Sequence, residues 1–159
     1  MKELVDKAVS DLKEKGNLQP MLIVDGVLGQ AIVMMEFPEE VSKRTVIEEA
    51  GRAVAEILPF GVAIITECWT AKTMPQPGQH LCDMPDREEA ISILYWEQGK
   101  EIDALLVPFT RVGTEIVLGE TSTPDPGTKV AAPILAPFWI GVAKGATEVM
   151  HDRKHAQNN

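Results

Sequence analysis

The sequence predicts an α+β fold, a largely antiparallel sheet made of a hairpin plus a three- to four-stranded meander and packed by two or three helices. Three observations lead there. Apolar residues recur at helical spacing in three separate segments. Two apolar runs flank Asp25-Gly26 and Gly29, a hairpin signal. A later stretch, "EAISILYWEQGKEIDALLVPFTRVGTEIVLGE", is divided by turns near Gly99-Lys100 and Gly113-Thr114. The order is helix, hairpin, helix, strand, meander, helix, with strands and helices segregated rather than alternating.

The first helix rests on Leu4, Val5, Ala8, Val9 and Leu12, with Gly16 at the left-handed cap position. In "PMLIVDGVLGQAIVMMEFP" the strands are apolar at successive positions. That pattern fits strands covered on both faces, or packed on one face and joined to another chain on the other. The second helix carries a stripe of Val46, Ile47, Ala50, Ala53, Val54, Ile57 and Leu58, and Thr45 with Glu48 offers a capping box. Glu48, Arg52 and Glu56 are expected on its wet side. "GVAIITECWTA" reads as a strand that turns polar after Ile65. Pro108 inside the middle meander run asks for a bulge or an unpaired position. A last helix is expected from Pro137, although Gly141 and Gly145 each disfavour it by up to roughly 1 kcal/mol.

One domain over residues 1–150 and a flexible tail over 151–159 account for the chain of 159 residues. A net charge of −9 argues against nucleic acid as partner and against anionic membrane surfaces. The segment "VAAPILAPFWIGVA" is too short, and too broken by Pro133 and Pro137, to span a bilayer. The opening segment is charged and amphipathic, unlike a secretory signal, so two cysteines fit a reducing cytoplasm better than a disulfide framework.

Unusual residues collect in "TECWTAKTMPQPGQHLCDMPDREEA", residues 66–90. Cys68, His80, Cys82 and Asp83 are the residue types of a zinc site, but no Cys-x-x-Cys knuckle is present, and zinc is not the expected cofactor. A cysteine nucleophile would place His80 beside Cys82 with Asp83 orienting the ring, which neighbours two apart achieve only in a tight turn. Asp86 is expected to cap a helical turn with Glu89 as its partner three residues on. His151 and His155, four apart, could share one helix face. Nucleotide and hydrolase fingerprints are absent.

Aromatic residues are few in this chain, and one of its three tryptophans, Trp69, lies on the polar half of its strand, facing the same way as Glu67. Glu67, Trp69, Asp86 and Arg87 are therefore the candidate contact residues. The arrangement "TECWTA … MPDREEA", a strand entering a proline-rich loop and an acidic turn, resembles the make-up of small prokaryotic or phage proteins and implies no activity. The functional expectation is a cytoplasmic, non-enzymatic binding or assembly module that self-associates as a homodimer and uses residues 66–90 as its contact surface, with a further protein partner of unknown identity. The alternative is a metalloprotein or cysteine-dependent enzyme at Cys68, His80, Cys82 and Asp83.

Overall fold

A computed structural model describes residues 2–71, 73, 75–125 and 132–157, with 152–157 described in backbone only. The elements run α1 (Lys2–Lys15), β1 (Met21–Gly26), β2 (Gly29–Met34), α2 (Lys43–Ala53), β3 (Pro59–Ala71), β4 (Arg87–Glu97), β5 (Asp103–Val112), β6 (Glu115–Leu118) and α3 (Ala136–Gln157). The strands form one six-stranded sheet in the order β2-β1-β3-β4-β5-β6, and every neighbouring pair is antiparallel. The α+β architecture read from the sequence is the one observed, with three helices on a curled sheet.

Period-two alternation divides each strand between two cores. Met21, Ile23, Ala63, Ile65, Ile91 and Ile93 point to one face and pack beneath Ala8 and Leu12 of α1. Their neighbours Leu22, Val24, Val62 and Ile64 point to the other, against Ile47 and Ala50 of α2 and Phe138 of α3. The unbroken apolar runs of β1 and β3 thus exist because both faces of the sheet centre are covered. Burying one such side chain contributes roughly 1.5–3 kcal/mol, so this double layer is the main source of cohesion.

The glycines that weaken α3 as an isolated helix are what let it dock. A Cβ on Gly141 would collide with the Glu48 carbonyl, one on Gly51 with the Phe138 carbonyl, and one on Gly145 would come within 2.5 Å of the Arg52 carbonyl. Backbone contact of this closeness needs small residues at the crossing. Glu48 and Arg52 consequently do not simply face water. Glu48 pairs with Lys144, and Arg52 with Glu148 at 2.7 Å, across the α2–α3 seam.

Several local details differ from the sequence reading. The hairpin turn is Val27–Leu28, because Asp25 and Gly26 still pair in β1 with Gln30 and Gly29. The N-cap of α2 is Ser42, which accepts from the Thr45 N–H at 3.2 Å, so Thr45 lies inside the helix rather than opening a box with Glu48. The α-helix ends at Ala53, and Ala55–Ile57 form a 3-10 turn leading to Leu58 in the left-handed region, φ 56°. That conformation costs a side-chain-bearing residue about 1–2 kcal/mol. It directs the Ile57 and Leu58 carbonyls at the Leu28 and Val27 N–H groups, which pins the hairpin tip.

Pro108 keeps full register opposite Ala90. Its carbonyl accepts from the Gly119 N–H, so the missing N–H of its ring faces the gap where β6 has ended, not the β4 ladder. At the C-terminus α3 continues to Gln157, past the residue where the tail was expected to begin.

Candidate functional site

The 66–90 region is narrower than a 25-residue loop. β3 persists to Ala71 and β4 begins at Arg87, so residues 72–86 connect them. A 3-10 turn at Leu81–Asp83 and the buried side chain of Met84 tie the described part of this connection to the sheet. Asp86 does not cap a helix. It accepts from the Thr73 N–H at 2.9 Å and from the Thr73 hydroxyl, closing the neck of the loop, while Glu89 belongs to β4.

Alternation places Glu67 and Trp69 on the α1 face, two and four residues beyond buried Ile65. Trp69 is 42% exposed and lies under the Arg87 guanidinium, 5.3 Å from the ring centre. Glu67 is held more tightly. Its carboxylate accepts the Leu18 N–H at 2.5 Å and pairs with Arg111 at 3.0 Å. Arg111 also donates to Glu89 at 3.1 Å and to the Gly16 carbonyl, and stacks over Phe109. Three strands and the end of α1 are thus clasped by one guanidinium. The reading of Glu67 as a contact residue gave no hint of this, since Arg111 lies 44 residues away in sequence.

Cys68 projects to the α2/α3 side, in alternation with Val62 and Ile64. Burial pushes its thiol pKa up, which disfavours the reactive thiolate. His80, Cys82 and Asp83 are exposed, and the Cys82 thiol lies 3.8 Å from the Asp83 carboxylate. Among the described residues no group of three or more His, Cys, Asp or Glu side chains is placed to hold a metal ion. Both thiols are free. The His151–His155 pair lies outside the described side chains at its second member.

A recess lies elsewhere, in a place the sequence reading passed over. A cleft of about 500 Å³ opens between the start of α1 and the sheet. Leu4, Ile23 and Ala63 form its apolar lining, Asp25, Gln30 and Tyr95 its polar side, and Lys2 and Glu3 its rim. The cleft follows from two small residues in β3. Ala63 fills little space, and Gly61, opposite Asp25, carries nothing at all. A Cβ there would meet the Tyr95 hydroxyl at 2.6 Å, so glycine allows the phenol to lean across β3 toward β1. The Tyr95 hydroxyl donates to Asp25 at 3.5 Å, and the Gln30 amide donates to the same carboxylate at 2.7 Å.

A third feature is the edge. β2 closes one side of the sheet and contains no proline, lysine or charge. Ile32 is 50% and Met34 43% exposed on it, and Val27 and Leu28 extend this apolar surface to the hairpin tip. The opposite edge, β6, is four residues long, starts at Glu115 and is followed by a single bridge from Ser122 to Leu106.

Compared with protein families, characterised proteins and solved structures, the chain matches none. Among the described residues no helix is long and apolar enough to cross a membrane.

Proposed function

We propose that the protein is a non-enzymatic binding and assembly module of the cytoplasm, dimerising along β2 and offering the Trp69–Arg87 surface to a protein partner. The observation that carries this is the unguarded edge. Edge strands usually carry charge, proline or a bulge because their unpaired N–H and C=O groups recruit other strands. β2 has none of these, and its α1-side residues Ile32 and Met34 are exposed.

A second copy is the occupant that the charge pattern favours. Two chains of −9 repel one another, and an uncharged strand is where they approach at least electrostatic cost. Antiparallel pairing of β2 with its own copy satisfies the backbone of both edges and places each Ile32 beside apolar neighbours. β6 is a poorer donor because it is short. Trp69 on β3 and Arg87 on β4 lie on the same sheet face as Ile32, with β1 between β2 and β3, so the two surfaces can be occupied together. Free Cys82 on the surface fits a reducing compartment.

Light scattering on a sizing column is the test. The expected result is twice the chain mass for the wild type, a single chain mass for Ile32→Lys with unchanged circular dichroism, and a dimer for Trp69→Ala. A wild-type monomer throughout the micromolar range would overturn the dimer.

A further inference from the structure

The polar cleft under the start of α1 has a composition that selects a ligand class. Its one charged group on the sheet is Asp25, and both partners of that carboxylate are neutral donors, the Gln30 amide and the Tyr95 hydroxyl. Lys2 and Glu3 place one charge of each sign at the rim. The floor is apolar. A recess of this volume, with an apolar body and a few converging polar groups, is the usual form of a small-molecule site.

The strand register explains why the site is built rather than incidental. Gln30, Asp25 and Gly61 lie side by side on β2, β1 and β3, and Tyr95 reaches in from β4 over the glycine. Four strands thus converge on one carboxylate. The oxygen lone pairs of Asp25 exceed the two neutral donors that reach it, since an ionised carboxylate accepts about four hydrogen bonds. Among the described residues Asp25 has no ion pair, and Lys2 stands at the rim of the same cleft.

We propose that this cleft binds a small organic cation, an ammonium, amidinium or guanidinium head on a compact apolar body. The head donates to Asp25 as a charge-assisted hydrogen bond, the Tyr95 ring provides an aromatic wall for it, and the body lies on Leu4, Ile23 and Ala63. The site is contained in one chain, so it stands or falls independently of dimerisation.

The experiment is calorimetric titration with three isosteric probes, benzamidine, benzamide and benzoate. Benzamidine is expected to bind saturably, benzamide at least about tenfold more weakly, and benzoate not at all. Asp25→Asn, which preserves shape, should weaken benzamidine by about tenfold or more. Gly61→Val should abolish binding by filling the recess, and Trp69→Ala, remote from it, should leave the affinity unchanged. No saturation by benzamidine on the folded wild type would overturn the proposal. Equal binding of benzamide, or benzamidine affinity untouched by both Asp25→Asn and Gly61→Val, would also overturn it.

Discussion

The two ends of α1 lie over the same sheet face and treat polar groups in opposite ways. At its C-terminal end, Arg111 joins Glu67 and Glu89 and caps the Gly16 carbonyl, while Glu67 also takes the Leu18 N–H. Each group there has a partner within the chain, and those side chains are about a third exposed or less. At the N-terminal end, Asp25 meets only neutral donors among the described residues, and a cleft opens beside it. A completed set of partners marks a structural clasp. An incomplete one beside a cleft marks a place where something else is meant to bind.

The largest expected effect lies at the closed end. Glu67→Ala strands the Leu18 N–H and removes one of the carboxylates that orient Arg111. Charge-assisted hydrogen bonds contribute roughly 1.5–3 kcal/mol when sheltered, and partial exposure brings this to about 1–2 kcal/mol. Urea denaturation would show that loss, and an unchanged midpoint would remove the clasp from the account. Losing so much from an exposed-looking residue would also separate Glu67 from Trp69, with which the sequence had grouped it.

A smaller effect sharpens the view of the open end. Tyr95 is the one tyrosine of the chain, so its ultraviolet titration is unambiguous. Burial, then the Asp25 carboxylate, with Glu97 and Asp103 further off, raises its pKa above the ordinary value of 10.0. The neutral phenol is the form the fold favours, so its contribution is complete below the unfolded value and is lost as pH rises through the folded one. Asp25→Asn should bring the ionisation midpoint down toward the ordinary value. A midpoint that does not move would place Asp25 out of reach of Tyr95.

The α2–α3 seam supplies the smallest effect. The hydrogen bond from Lys144 holds the Glu48 carboxyl below its ordinary range. A lowered carboxyl contributes above its unfolded pKa, and that contribution fades as pH falls through the folded value. Lys144→Ala should therefore slightly reduce stability at neutral pH and flatten its decline in acid. Thermal unfolding at neutral and acid pH checks this, and equal shifts at both would contradict the assignment.

What the sequence made legible was periodic. The α1 and α2 stripes, the doubly apolar runs of β1 and β3, and the turns at Gly99 and Gly113 each repeat over a few residues, and the fold follows from them. Features that depend on residues distant in sequence were not legible. Arg111 belongs with Glu67 only because β3, β4 and β5 lie in register. Gly141 looked like a weakness in a helix because its reason is a carbonyl of another helix. The cleft was hidden for the same cause, since Asp25 reads as a turn residue until Gly61 and Tyr95 stand beside it. Cys68, His80 and Cys82 drew attention by type, and type alone says nothing of facing.

The contrast between the two ends is tested most directly by denaturing Arg111→Met and Asp25→Asn side by side in urea without added ligand. Arg111→Met should lose about 1–2 kcal/mol, because two carboxylates and a carbonyl lose their common donor. Asp25→Asn should stay within about 0.5 kcal/mol of the wild type or exceed it, as residues held ready for a ligand seldom add stability to the empty protein. The reverse order, with Asp25→Asn the more damaging, would make the open end the structural one and contradict the account.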